Sequence, residues 1–393
     1  MLTVMEMMTH PVFKDFRLVS DRSGLNNRIR NTHILDWESE DSLDESFSPG
    51  DFVVTTLSAY RETPELAFRI LDALIDKNIA GLAVKDLYFP EIPKAVLRKA
   101  NVHHIPVFMF SHTRTTDIII ALKNEMAFIE INKTATSTMR KIMYEETDGI
   151  AIDILARDIN PFFSKNIICA FGIPVDFNNK EATLNTAAMK YRNFLKAISL
   201  PTEAAFTALF FSVGIGIIYS DQREQRDLKK ELLDLLEQFS FDLNLFSIGF
   251  SDQMSSLSDT GIAAKQSLYA ATEAHINNES FKDFRQMGFT KVLCPLRENY
   301  WMRSFYEELL DIITEYDKEH DSHIMETVTD YIHCNGDINA AAKISYQHPN
   351  TIRYRIKKAQ ELLNTDNLMD FRIQLYAIVR LREINERLSE WRV

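Results

Sequence analysis

The chain has 393 residues, of which 46% are hydrophobic and 25% charged, and its formal net charge is −12. At roughly 100–200 residues per domain, such a length allows about two to four domains with cores large enough to stand without disulfides or metals. The composition is that of a folded globular chain rather than a disordered one, and the acidity argues against a surface that binds nucleic acid everywhere.

The N-terminal stretch MLTVMEMMTHPVFKDF lacks a basic region ahead of an apolar run, so no signal peptide is expected. In the first ~125 residues strand and helix patterns alternate. DFVVTT (51–56) is a β-branched run opened by the turn Ser48-Pro49-Gly50. Thr63 then reads as an N-cap with Pro64 at the first helical position, followed by Leu66, Ala67, Ile70, Leu71 and Leu74 at helical spacing. IAGLAVK (79–85) and IPVFMF (105–110) are further strands, separated by the short helix PKAVLRKA (93–100). This order predicts a parallel sheet with helical crossovers and apolar strands covered on both faces.

Residues 121–163 read as mostly helical and serve as a connector. A second α/β unit begins at IICAFGI (167–173). A helix from about Lys180 to Ala197, a hairpin over 205–220, a charged amphipathic helix over 223–239, a strand over 243–251 and a helix over 259–276 follow. That order predicts an α+β sheet with helices on one face. The longest uncharged stretch, Ala204 to Ser220, is broken by Gly214 and Gly216 and falls short of the ~20 residues of a membrane span. Cys169, Cys294 and Cys334 are odd in number and form no C-x-x-C, as expected of reduced, buried thiols in a cytoplasmic protein. Residues 299–316 are helical, EYDKEHDSH (315–323) reads as a hinge or exposed helix end, and all that follows is helical.

Charge is distributed unevenly. Residues 335–393 hold ten Lys/Arg against seven Asp/Glu, and the segment from Ile338 to Gln360 has five basic residues and no acidic one. On a helical wheel of 350–363, Ile352, Ile356, Ala359 and Leu363 form one stripe with Leu362 beside it. Asn350, Arg353, Tyr354 and Lys357 lie opposite, while Thr351, Arg355 and Lys358 flank the apolar stripe. The Ala-rich helix DINAAAKI (337–344), N-capped by Asp337, and the turn Ser345-Tyr346-Gln347 precede it. This is the layout of a helix-turn-helix, whose second helix enters the major groove. There Asn pairs with adenine and Arg with guanine, and Thr351, Arg355 and Lys358 are placed to hold phosphates.

Ala342, His348, Asn350-Thr351-Ile352-Arg353-Tyr354-Arg355-Ile356, Lys358 and Leu362-Leu363 together resemble the C-terminal helix-turn-helix of PucR-family (CdaR-like) bacterial transcription regulators. Helix 370–389 resembles that family's closing helix. Pro349 stands where the family usually has a basic residue, and Ser345 and Gln347 where it has apolar ones. SGLNNRIRNTHILDWE (23–38), SPGDFVVTT (48–56) and the strands at 81–85 and 105–110 resemble the family's N-terminal purine-catabolism-regulator domain. Residues 243–276 are similar to its middle domain, a degenerate relative of the diguanylate cyclase (GGDEF) fold.

Ser212-Val213-Gly214-Ile215-Gly216 has no carboxylate to hold Mg²⁺ at the hairpin, so cyclase activity is not expected. His320-x-x-His323 and His333-Cys334 are not expected to form a metal site, and His103-His104 reads as a cap or loop pair. No Walker loop, G-x-S-x-G or G-x-G-x-x-G occurs. Parallel sheets take ligands beyond the carboxyl ends of their strands, where Thr55, Thr56 and Lys85 lie as candidate contacts for an anionic metabolite.

The expected organisation is an α/β parallel-sheet sensory domain (1–125), a helical connector (126–163), an α+β GGDEF-like domain (164–298) and an all-α helix-turn-helix domain (299–393). The expected activity is that of a ligand-responsive regulator of a metabolic, catabolic pathway, not an enzyme, with no cofactor, no metal and no membrane partner. Its expected partners are a double-stranded DNA operator, a small-molecule effector and a second copy of itself, as a homodimer or higher homo-oligomer. His348, Asn350, Arg353, Tyr354 and Lys357 are the candidate base contacts; Thr351, Arg355 and Lys358 are the candidate phosphate contacts. A metabolite-binding enzyme, or an interaction scaffold whose basic helix docks an acidic protein, is the alternative.

Overall fold

The structure, a computed structural model, describes residues 2–197 and 203–389. It has two compact units, Met1–Thr134 and Ala135–Val393. The first contains α1 (Val4–Met7), β1 (Arg17–Leu18), β2 (Asn31–Leu35), α2 (Leu43–Ser46), β3 (Asp51–Thr55), α3 (Pro64–Ile75), β4 (Gly81–Lys85), α4 (Lys94–Val102) and β5 (Val107–Phe110). Helix α5 (Thr115–Tyr144) starts in this unit and ends in the next.

The sheet order is β1-β5-β4-β3-β2, with β2 to β5 parallel and β1 an antiparallel edge. Each parallel strand lies beside its predecessor, so right-handed crossovers put their helices on one face. Val53, Leu82, Val84 and Val107 meet α3 and α4 there through Ala67, Leu71, Val96 and Ala100. The alternate residues Phe52, Val54, Ala83, Phe108 and Phe110 face the other way, under Phe13, Ile29 and the start of α5 (Ile118, Leu122). Both faces are therefore buried, as the continuous apolar strands predict. The edge strands escape a search for apolar runs: β1 is two residues long, and β2 places Asn31 and His33 among its apolar residues.

The second unit takes up the end of α5, then α6 (Gly149–Ile159), β6 (Asn166–Pro174), α7 (Lys180–Ala197), β7 (Ala204–Phe211), β8 (Gly214–Asp221), α8 (Leu228–Gln238), β9 (Phe246–Phe250), α9 (Thr260–Ile276) and β10 (Phe281–Asp283). Its sheet order is β10-β9-β6-β8-β7. The stretch expected as a connector is helical, but Ala135, Met139, Ile142, Met143, Ala156 and Phe163 lie in one core with β6 and α9. From residue 135 onward it is part of this unit.

The helices cover both faces of this sheet, not one. Central β6 is buried along its whole length, so either face left bare would expose a row of apolar side chains. On one side Cys169, Phe171 and Ile218 meet α9. Helix α9 comes close because its contact residues are small (Ala263, Ala264, Ala270, Ala271) and because β9 offers Gly249, where a Cβ would sit 2.0 Å from the Ala271 nitrogen. On the other side Tyr191 of α7 packs on Phe206, and Tyr219 donates to Glu231 of α8 at 2.7 Å.

The chain closes with α10 (Thr290–Leu296), α11 (Tyr300–His320), α12 (Ile324–His333), α13 (Ile338–Ile344), α14 (Pro349–Leu362) and α15 (Leu368–Leu388). Helix α15 serves two cores. Phe371, Leu375, Ile378 and Val379 pack among α11 to α14, whereas Ala377, Leu381, Ile384 and Leu388 pack with α9 and the second sheet. This shared helix makes one unit of what the sequence presents as two domains.

Candidate nucleic-acid interface

Helix α13 is capped as its sequence predicts: Asp337 accepts from the backbone N–H groups of Asn339 (2.8 Å) and Ala340 (3.1 Å). Ala341 and Ala342 are buried, which lets α14 approach. The chain leaves α13 through Ser345, Tyr346 and Gln347, with Gln347 N–H bonded back to the Ala342 carbonyl at 3.0 Å. This closure puts Tyr346 in the left-handed region (φ 52°), a position usually given to glycine. A bulky aromatic there is strained, and its ring is 95% exposed.

His348 caps α14, its Nδ1 accepting from Asn350 N–H at 3.2 Å, and Pro349 occupies the first turn, where a missing N–H costs nothing. With Nδ1 as acceptor, a neutral ring carries its proton on Nε2, so an outward donor remains. Ile352, Ile356, Ala359 and Leu363 are buried against Ile324, Val328 and Phe371, and Leu362 is half-buried beside them. The wheel therefore assigns the apolar face correctly.

The polar residues fall into two groups. Arg353, Tyr354 and Lys357 are exposed, as are His348 and Asn350. Arg353 donates to the Asn350 side-chain oxygen at 2.8 Å. That bond orients Arg353 and leaves Asn350 its amide N–H donors and a second oxygen lone pair. Arg353 keeps further N–H donors for a base or phosphate.

Arg355 and Lys358, the candidate phosphate contacts, each also meet a neighbouring helix. Half-buried Arg355 donates to the Thr327 hydroxyl of α12 at 3.1 Å. Lys358 lies 3.5 Å from Glu361 and 5.1 Å over the Tyr316 ring of α11. Both brace α14 against neighbouring helices. Thr351 is half-buried at the helix start. Exposed Lys343 on α13 lies outside the helical wheel of 350–363. At Tyr346 the signal in the sequence is the absence of glycine at a helix C-terminus.

The candidate effector residues at the strand ends are used internally. Thr55 is fully buried, donates to the Leu35 carbonyl (2.7 Å) and accepts from Leu57 N–H (3.0 Å). Thr56 accepts from Ser58 N–H at 3.3 Å. Lys85 donates to the Thr113 carbonyl at 3.1 Å beside the Phe110 ring. Thr55 thus closes a turn and presents nothing to a ligand. Nearby, burial would raise the Asp15 pKa, but the Thr113 hydroxyl and the N–H groups of His112, Thr113 and Ser111 outweigh it and hold the carboxyl at about 2.

His320 and His323 lie on either side of the α11 end, where Asp321 and His323 are both left-handed. Among the described residues no group of three or more metal-ligating side chains is brought together, and no helix is long and apolar enough to cross a membrane. Burial pushes the thiols of Cys169 and Cys294 up to about 12, far from the reactive thiolate range.

Comparison with known proteins matches residues 6–126 to the purine catabolism regulatory protein-like family and residues 324–381 to the PucR C-terminal helix-turn-helix domain. The DNA-binding transcriptional activator AdeR of Bacillus subtilis is 24% identical over 166 residues, 41% of this chain and 39% of that protein. The purine catabolism regulatory protein of the same organism is 26% identical over 171 residues, 40% of this chain and 31% of that protein. The chain thus spans less than two fifths of the length of these curated relatives. The crystal structure of a regulator of polyketide synthase expression from Bifidobacterium adolescentis aligns with 62% of this chain and 98% of that one, at 16% identity and a TM-score of 0.27.

Proposed function

This chain belongs to the PucR family of transcription regulators, and we propose that it binds operator DNA through α14 to control genes of a catabolic pathway. The observation that carries the reading is the division of α14: one stripe is buried, while Arg353, Tyr354 and Lys357 stand exposed opposite it, behind a capped helix and a three-residue turn. In that arrangement Arg353, oriented by Asn350, reads a base edge in the major groove, and His348 and Tyr354 line the same approach. Lys357, Lys343 and Tyr346 supply sequence-independent contacts to the backbone. The purine-catabolism name of the matched relatives supports the metabolic class of the target genes.

A second copy of the chain would set two recognition helices about 34 Å apart, giving a palindromic or repeated operator. The order β6-α7-β7-β8-α8-β9-α9-β10, with no carboxylate between Ser212 and Gly216, supports a degenerate cyclase-like middle domain that packs or dimerises rather than catalyses. A DNA-binding role places the protein in the cytoplasm. The N-terminal domain receives a metabolite, with Thr56 and Lys85 the remaining strand-end candidates to meet it.

The test is selection of bound duplexes from a random pool with the full chain, followed by a salt titration on the enriched sequence. An enriched half-site whose affinity falls steeply with salt supports the reading. A pool that stays random, or binding indifferent to salt, overturns it.

A further inference from the structure

At the junction of α9, α12 and α15 the second unit has a cleft of about 560 Å³, a size typical of small-molecule sites. Arg372, Tyr376 and Arg380 recur every four residues on α15 and so form one stripe along its wall. Asn277 and Asn278, at the end of α9, form a second wall; His333, Asn335 and Gly336, where α12 turns toward α13, form the third.

One cation in this cleft lacks an ion-pair partner among the described residues. Arg380 donates to the Asn277 side-chain oxygen (3.2 Å) and to Glu383 (3.0 Å), and its Nε is buried without a hydrogen-bond partner. Glu383 is also bonded to His333. Glu273, buried one turn back on α9, has one carboxylate oxygen without a partner and acts on Arg380 only through its charge. Arg380 thus meets both of these carboxylates, and His333 bonds to Glu383. Arg372 is exposed and has no ion-pair partner among the described residues. Between the two arginines lies the Tyr376 ring, 5.9 Å from the Arg380 guanidinium carbon. An unpaired guanidinium beside an aromatic face, with side-chain amides across from it, matches a flat molecule that carries one anionic group.

We propose that this cleft binds a small planar organic anion, a carboxylate or phosphate ester of an aromatic or heterocyclic ring, with Arg372 holding the charge and Tyr376 supporting the ring. The bound molecule touches both the end of α9 and the Asn335-Gly336 turn that sets α13. Its occupancy would therefore bias the orientation of the helix pair that carries the DNA-binding face. Only that consequence rests on the regulator reading; the binding itself does not.

The experiment is calorimetric titration of the full chain, without DNA, with benzoate, phenyl phosphate and the neutral isostere benzamide. The expected result is binding of at least one anion, no binding of benzamide, and loss of at least about tenfold in anion affinity in Arg372→Gln at unchanged melting temperature. Arg372 is exposed, so that variant keeps the fold. Failure of both anions to bind, equal binding of benzamide, or undiminished binding by Arg372→Gln overturns the proposal. None of these outcomes bears on whether the chain binds a duplex, which the selection experiment decides separately.

Discussion

The strand ends of the N-terminal sheet and the outer face of α14 carry the same kinds of side chain, hydroxyls and cations, yet use them in opposite ways. Thr55, Thr56 and Lys85 bond to the carbonyls and N–H groups of their own unit. Arg353 and Lys357 stand in solvent, Arg353 bonded only to its neighbour Asn350 and Lys357 with no ion pair among the described residues. The same contrast recurs within α14, where Arg355 and Lys358 turn back onto α12 and α11. A suggestive residue at a suggestive place is the stronger candidate where the fold leaves its donors unmet.

The sharpest way to break this comparison is to attack what holds the exposed face in place. Ile352→Ala removes a fully buried side chain between α12 and α14 and should cost about 2–5 kcal/mol, read as a lower denaturant midpoint for the second unit. An unchanged midpoint would mean that the buried stripe is misassigned. Thr55→Val should destabilise the first unit by about 1–3 kcal/mol, because the N–H of Leu57 loses its acceptor in a buried setting, and should leave duplex affinity alone. Arg353→Ala should do the reverse. It should lose about 1–3 kcal/mol of duplex affinity and relax preference at one base position, with stability changed by less than about 0.5 kcal/mol. If those two variants exchange phenotypes in melting and binding assays, the contrast fails.

Asp15 adds a pH test confined to the first unit. Its carboxyl titrates at about 2 in the fold and near 4 when unfolded, so its contribution is complete above about pH 4 and is lost as pH falls toward 2. Asp15→Asn should therefore cost about 1–2 kcal/mol at neutral pH, after allowance for solvent screening, and flatten the acid limb between those values. A parallel downward shift at every pH would point to packing instead. The smallest effect is expected at Tyr346. Tyr346→Gly relieves the left-handed strain and should raise stability by about 0.5–1 kcal/mol while weakening all duplexes alike. A gain in stability with undiminished binding would remove Tyr346 from the interface.

Much of this was legible in the chain itself. The parallel strands at 51–55, 81–85 and 107–110, the Asp337 helix start and the buried stripe of α14 all follow from patterns that span a few residues. The two edge strands, the second layer of helices over β6 and the membership of residues 135–163 in the second core did not show. Each depends on partners remote in sequence, which periodicity does not register.

What the sequence by itself determined is local: where helices begin, which stripe of each is apolar, and that one basic helix follows a short turn. Hydrogen bonding and burial within a few residues specify such features. Tertiary structure alone decided what each remaining cation meets. Arg355 donates to Thr327, 28 positions earlier, Lys358 lies over the face of Tyr316, and α15 packs in two cores at once. A donor's availability depends on what packs beside it, and that is set only when distant segments meet.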